Sequence, residues 1–550
     1  MHRTDVDRRD RRRGPSRAVA AALALALLGA ACSDDKKSSS STAPDASTGA
    51  AASGDLIVND STPPSSLDPG FTCNLEDLGL ISDLYVTLVK YGTKGDGIKA
   101  VADPSKIEGY LAKDWKVSDD GLTYTFNLND AKFPSGKPID AEAVKYSYER
   151  ANSPDGGGMG CGGYFAQAGQ MPDGIVKDVK AVSPTQVEIT LNRAEPLYIK
   201  ALALPSNGIL DPSVIEANGG IKGSKDYLGT HSASGGPYVI ESYEPGSKLV
   251  LKANDTFFGD KPLRSKVTVN FIATPETLQL EAKNADITLG LPAAAIETMK
   301  KDSSVEVIST PRSEWQAVYL PTKTAPFDNV DFRQALSLAV PYKDIIDKIA
   351  FGAGQAFSGP YPPAFPAFNA KIGAARETSM DKAKEALKKS GVTGTTKIDL
   401  IFREGVPEAE ELATVLQSAW KDLGVEVTPK KTAASAYAEA VSTPDKTFAI
   451  IRYDGPAVED PAWLLDYDLP CASPYNVSNY CDSDLEAKLA AAHKETDDGK
   501  RQAIWDEIAT SLAEATPRIP LYGISQTVVL KKDIKHFRSA TGAYWFHAWG

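Results

Sequence analysis

Residues 111–150 read LAKDWKVSDDGLTYTFNLNDAKFPSGKPIDAEAVKYSYER, and this stretch decides the fold. Asp119, Asp120 and Gly121 make a turn, because glycine takes a positive φ at no steric cost. Residues 123–128 then alternate, with Tyr124, Phe126 and Leu128 on one face and Thr123, Thr125 and Asn127 on the other. That is the period of a half-buried strand. Ser135, Gly136, Lys137 and Pro138 break it. Asp140 is placed to cap a helix, with Glu142 in its first turn and Val144 and Tyr148 four apart on a buried face. The block is structural: it specifies a mixed α/β unit and carries no chemistry.

Outward from this block, length and composition set bounds. A chain of 550 residues has room for two or three domains, and 42% hydrophobic with 24% charged residues is ordinary soluble globular composition. The formal net charge is -12, and residues 1–31 hold seven Arg against three Asp, so the remainder carries -16. So acidic a body excludes nucleic acid as a partner, because phosphate binding needs a basic surface.

Residues 1–17 are Arg-rich and residues 18–31 form a short apolar run ending in small residues. This reads as a signal peptide, too short for an ordinary membrane span. Residues 27–32, LLGAAC, resemble a bacterial lipobox in which Cys32 becomes the lipidated first residue; Gly29 departs from the common pattern. Residues 32–54 are rich in Ser, Ala, Asp and Lys, cannot build a core, and read as a flexible tether.

The block 111–150 resembles the bacterial extracellular solute-binding proteins of family 5, which feed peptide and nickel ABC importers. Leu111, Trp115, Val117, Ser118, Asp120, Gly121, Tyr124, Phe126, Leu128, Phe133, Gly136, Pro138, Tyr146, Ser147 and Arg150 fall where that family has its most recognisable run. The resemblance continues elsewhere. Leu67, Asp68 and Pro69 match an early loop near the mouth of the ligand cleft, and residues 83–89 look like a helix that follows it. Residues 234–238, 249–259 and 326–336 match further family elements, with Phe258 in place of a Trp and Pro341 and Tyr342 in place of Asp-Arg. Read from the residues alone, 397–402, 408–423 and 425–427 make strand, helix, strand, hence a parallel pair with a right-handed crossover. Ile504, Ile508 and Leu512 share one helix face, stopped by Pro517 and Pro520.

The resemblance spans roughly residues 55–522. It implies an α/β, two-lobed periplasmic-binding-protein-like fold (type II, cluster C) with an extra subdomain inserted in the first lobe. The expected division is 1–31 signal peptide, 32–54 tether, 55–98 first lobe, 99–228 inserted subdomain, 229–310 first lobe again, 311–519 second lobe and 520–550 the return. The chain then crosses between lobes near Thr310 and Ile519.

Setting Cys32 aside leaves four cysteines in an exported, oxidising setting. Cys471 and Cys481 are close enough to bridge locally, which leaves Cys73 and Cys161 as the second pair. The five histidines are scattered, without metal-site spacing, so no metal and no cofactor is expected. The glycines of residues 155–163 follow a helix rather than a strand and read as a surface loop, not a phosphate cradle.

The fold implies hinge closure around a ligand between the lobes. Trp315 stands where family members often have a cleft Tyr, a position that core packing explains equally well. Tyr453 and Asp454 match a strand end at the cleft, and Trp463 and Tyr522 are further candidate walls. Arg452 either pairs with an acid group of the ligand or forms a surface salt bridge. Peptide binders of the family place an Asp at the position of Pro456 or Ala457, where this chain has none; either Asp454, Glu459 or Asp460 substitutes, or the ligand has no free amine.

The implied function is a lipid-anchored receptor on the outer face of the cytoplasmic membrane. It acts as a monomer, binds an oligopeptide or similar small solute, and works with separate ABC permease and ATPase subunits. No bond chemistry is expected, since no GxSxG or GxxxxGK[ST] pattern is present. An exported hydrolase, or a sensor or chaperone-like surface protein on the same fold, are the competing readings.

Overall fold

The computed structural model describes residues 52–72, 75–157, 174–539 and 544–550. Within it the block 111–150 forms the elements its pattern dictates. Strand Thr123–Leu128 buries Tyr124, Phe126 and Leu128. It lies inside a four-stranded antiparallel sheet in the order Ala112–Val117, Thr123–Leu128, Gln186–Leu191, Val176–Ser183. Helix Ala141–Asn152 starts at Asp140, whose Oδ1 accepts from the Ala143 N–H at 3.0 Å, so one orphan donor of the first turn is satisfied.

Arg150, near the end of that helix, is almost wholly buried and meets Asp68 in a two-pronged pair. Nη1 donates to Oδ1 at 3.0 Å and Nη2 to Oδ2 at 2.7 Å, while Nε donates to Ser224 Oγ at 3.2 Å. The planar guanidinium matches a carboxylate edge in this way, which fixes the loop around Asp68 against the helix.

The larger sheet has ten strands and runs through both lobes. Its order is Val425–Thr432, Thr396–Arg403, Ala449–Asp454, Val305–Tyr319, Arg518–Lys531, Ile287–Thr288, Ala52–Asp60, Arg264–Phe271, Lys248–Ala253, Tyr238–Glu244. The second-lobe end contains the expected βαβ unit: strand Thr396–Arg403 pairs in parallel with Val425–Thr432, and helix Pro407–Lys421 connects them. Leu412, Leu416 and Trp420 put one face of that helix into the core, and Trp420 Nε1 donates to Leu336 O at 3.0 Å. The first-lobe end is built on Ala52–Asp60, parallel to both Arg264–Phe271 and Ile287–Thr288.

Two long strands, Val305–Tyr319 and Arg518–Lys531, are shared by the two lobes and pair antiparallel along their length. From Val305 to Pro311 the partners run from Lys531 to Ser525; the register then slips, and resumes at Trp315 opposite Gly523. Beyond that point the second-lobe strand Ala449–Asp454 joins the other side of Trp315 to Tyr319. The ladder between the two long strands is therefore interrupted between Pro311 and Trp315, and again between Gln316 and Ala317.

One expectation fails. Residues 83–89 are not helical: the helix is Leu75–Ile81, and Val89 already opens strand Val89–Lys94. The Asp83 and Leu84 carbonyls accept from the Tyr238 and Gly236 N–H groups, and the Asp83 carboxylate accepts from the Phe546 N–H and meets the His547 ring. Long-range partners thus take the acceptors that a helix would need.

Cys471 and Cys481 form a disulfide with Cα atoms 4.8 Å apart. Cys32, Cys73 and Cys161, the signal and tether segments, and residues 158–163 of the glycine loop lie outside the described residues. Among the described residues no helix is long and apolar enough to cross a membrane.

Candidate functional site

The strand directions decide where a ligand can sit. Ala52–Asp60 is parallel to Ile287–Thr288, which is antiparallel to the crossing strand Arg518–Lys531, and Ala449–Asp454 is antiparallel to the crossing strand Val305–Tyr319, so the two run toward each other across the sheet. Their carboxyl ends, with the interrupted segment of the crossing strands, enclose two cavities that share Arg312. Binding sites in such sheets form outside the carboxyl ends of the strands.

The first cavity has a volume of about 340 Å³. Asp60, Ser61, Thr62 and Gly290 come from the first lobe, Arg312, Glu314 and Tyr522 from the crossing strands, and Glu408 and Tyr453 from the second lobe. Asp60 is held by the Thr62 N–H at 3.1 Å and by the Tyr544 hydroxyl at 3.0 Å. Gly290 has φ +71°, and a side chain there would collide with Ser61, so only glycine fits this edge of the cavity. The second cavity, about 520 Å³, lies among Tyr91, Asp103, Thr310, Ser313, Ala457 and Glu459.

Strand alternation sorts the candidates at the strand end. Tyr453 faces the first cavity and is 47% exposed. Arg452 and Asp454 point to the other face and are committed to a network there. Asp454 accepts from the Tyr319 hydroxyl at 2.6 Å and from the Gly455 N–H at 2.9 Å, with Arg452 Nε 3.4 Å away. Arg518 donates to the same Tyr319 hydroxyl at 3.1 Å and pairs with Asp468. Burial opposes the Arg452 charge, but Asp454 beside it holds the guanidinium above its ordinary value. This cluster ties strand ends together.

Asp460 is committed as well: it caps helix Pro461–Asp468 through the Ala462 N–H at 3.1 Å and pairs with Lys200 at 2.8 Å and Arg501 at 3.0 Å. Ala457 lines the second cavity, so that edge carries a methyl group. Trp315 is fully buried beneath the crossing strands, with the Arg518 guanidinium 5.0 Å from its ring, and lines neither cavity. Trp463 is half-buried on helix Pro461–Asp468, packs against the core and likewise lines neither. Tyr522 lines the first cavity from the return strand; burial pushes its phenol well above the ordinary range, so it stays a neutral donor.

Of the sequence candidates, Tyr453 and Tyr522 thus meet at the first cavity, and Arg452, Asp454, Trp315 and Trp463 do not reach it. The residues that sequence reasoning missed are Arg312 and Glu314. They sit two apart on a strand, so they share a face, but nothing in the segment TPRSEW separates them from a surface pair until the strand partners are known.

Two α/β lobes joined by paired crossing strands, with polar cavities at the crossing, define a periplasmic-type solute-binding protein. Residues 106–476 match the family described as bacterial extracellular solute-binding proteins, family 5 Middle, and the chain belongs to that family. Its members are solute-binding proteins, not enzymes.

Among curated relatives, the chain is 28% identical over 492 residues to a probable D,D-dipeptide-binding periplasmic protein of Escherichia coli, covering 88% of this chain and 91% of that one. It is 27% identical over 481 residues to a nickel-binding periplasmic protein of the same organism, covering 82% and 86%. Its fold matches that of an ABC transporter-associated periplasmic binding protein from Helicobacter pylori in complex with the peptide STSA. The TM-score is 0.73 at 22% identity, over 90% of this chain and 98% of the other.

Proposed function

We propose that the chain is the lipid-anchored substrate-binding subunit of an ABC importer, capturing oligopeptides or similar small solutes and handing them to a membrane permease. The observation that carries this reading is the interrupted ladder between Pro311 and Trp315 with a polar cavity on it. A bend at that point costs few hydrogen bonds, while the ladders on both sides hold each lobe rigid. The cavity walls come from both lobes, so closure buries solute and walls together, and the closed form is what a permease can recognise. We place the lobe crossings there, at residues 311–315 and 523–525. The relatives named for dipeptide and nickel binding show how widely one framework serves different solutes.

The anchor follows from Cys32, where acyl chains each add about 0.8 kcal/mol per buried methylene. The test pairs two measurements. Solution scattering of the mature chain with and without a mixture of di- and tripeptides is expected to show a more compact particle with peptide. Cys32→Ser is expected to move the protein from the membrane fraction to the soluble fraction and to abolish incorporation of labelled palmitate. An unchanged scattering profile across peptide, chelate and sugar probes refutes the receptor reading; unchanged fractionation refutes the anchor.

A further inference from the structure

A third cavity, of about 500 Å³, lies away from the crossing. It shares Tyr91 with the second cavity and no residue with the first, and nothing between residues 261 and 537 lines it. Strand Arg264–Phe271 runs parallel to Ala52–Asp60, whose carboxyl end reaches the first cavity. Leu263, just before that strand, donates to the carbonyl of His547 in the wall of the third cavity. The third cavity therefore sits at the opposite end of the first-lobe sheet.

Two partly buried cations, Lys90 and Arg538, line it, and neither forms an ion pair among the described residues. The nearby carboxylates are spent or solvated. Glu108, opposite Lys90 in the strand pair, is taken by Lys106 at 2.7 Å. Asp83 is taken by the Phe546 N–H and the His547 ring, and Asp130 and Asp260 line the cavity as exposed residues. Arg538 is anchored through Nη2, which donates to Tyr91 O at 3.0 Å and Gly92 O at 2.8 Å, and its guanidinium lies over the Trp545 ring. Arg538 Nη1 and Lys90 Nζ make no hydrogen bond among the described residues, yet neither is sealed from solvent, so both donors stay open. Burial lowers the Lys90 pKa, with the Arg538 charge adding to the effect, and takes that of Arg538 down to about 9. Two like charges drawn partly out of water cost free energy until an anion joins them.

The rest of the wall is aromatic. Tyr110 has Phe257 edge-on at 6.3 Å and Phe258 tilted at 6.0 Å, and Lys90 Nζ lies 5.3 Å from the Tyr110 ring centroid. Flat apolar faces with a few placed polar donors, in a space of several hundred Å³, are the make-up of a small-molecule site. We infer that this cavity is a second binding site, separate from the one between the lobes, for a small organic acid with an aromatic body. Lys90 Nζ and Arg538 Nη1 hold its carboxylate, and its ring lies among Tyr110, Phe257 and Phe258. Because the walls belong to one lobe, the site fills without closure.

The test uses indole-3-acetate, its neutral amide, acetate and sulfate, with calorimetry and solution scattering on the mature chain, wild type and Lys90→Gln. Wild type is expected to bind the aromatic acid about ten- to hundredfold more tightly than the amide, the range for a charge-assisted hydrogen bond, and without compaction. Lys90→Gln is expected to weaken the acid about tenfold and to leave the amide within about twofold. Its ligand-free melting temperature is expected to stay or rise, because Lys90 Nζ makes no hydrogen bond and repels Arg538. Bound acid is expected to slow chemical acetylation of Lys90, read by mass spectrometry, and to leave the exposed Lys116 unchanged. Equal binding of acid and amide, unchanged affinity in Lys90→Gln, an unprotected Lys90, or no binding of the aromatic acid overturns the inference. Compaction on binding also overturns it, by putting the acid between the lobes. Equal binding of acetate or sulfate does so too, by leaving an adventitious ion only. None of these outcomes touches the solute-binding reading.

Discussion

Replacing His493 by Gln removes the cation from a buried bridge between distant parts of the chain. His493 lies on helix Ser483–Lys494, with Nε2 2.8 Å from Asp466 Oδ1 and Nδ1 3.2 Å from Glu195 Oε2. Glu195 follows the four-stranded sheet, whereas Asp466 sits on helix Pro461–Asp468. Lys200 and Asp460 join the same two regions at 2.8 Å. Burial by itself lowers the His493 pKa, but the hydrogen bonds to Asp466 and Glu195 overcome it and push the value up to about 10.

The sign of the pH dependence follows. Against an unfolded value of about 6.5, the raised folded value means the bridge stabilises fully below about pH 6.5. That contribution is lost as pH rises through about 10. Removing one partner of a buried pair costs about 3–5 kcal/mol, and the 20% exposure of the His493 side chain argues for the lower end, about 3 kcal/mol. Urea denaturation of wild type and His493→Gln at about pH 7 is expected to show that difference, and the gap is expected to close by about pH 11. Adding Glu195→Gln is expected to recover most of the loss, because one uncompensated charge goes with it. A gap under about 0.5 kcal/mol at neutral pH, or one that persists unchanged to about pH 11, refutes the reasoning.

Two further outcomes follow from the fold. Asp68→Asn leaves Arg150 buried beside a neutral partner, and is expected to lower stability by about 3–5 kcal/mol, read as a shift in the denaturation midpoint. The double change Asp68→Leu with Arg150→Met is expected to recover much of that loss. Replacing both Cys471 and Cys481 by Ser opens a loop with a sequence separation of 10. This is expected to cost roughly 2.5–3 kcal/mol in the chain-entropy view, and reductant is expected to lower the melting temperature of the wild type but not of the variant.

What could be read from the sequence was what depends on neighbours along the chain. The alternation of Tyr124, Phe126 and Leu128, the cap at Asp140 and the strand-helix-strand at 396–432 are local patterns, and each formed. The helix expected at residues 83–89 rested on the family resemblance alone, and Gly236, Tyr238 and Phe546 claim the acceptors there from far along the chain. The same holds for the candidate site. Asp454 belongs to Tyr319, 135 residues away, and that bond decides which face of its strand serves the cavity. Tyr453, exposed by alternation, was legible; Glu314 was not, because a carboxylate two residues from an arginine looks like any surface pair until a second strand covers it.

The slipped register on the two crossing strands has a signature in amide exchange. Peptide groups from Val305 to Thr310 lie in a continuous ladder with the return strand, and those from Trp315 to Tyr319 pair without a break with Ala449–Asp454, so their protons exchange only when the surrounding sheet loosens. Those at residues 312–314 lie where the pairing skips, and escape by small local fluctuations. In deuterated water the chain therefore writes a short fast-exchanging window between two slow ones, and a solute that pins the crossing shut darkens that window first.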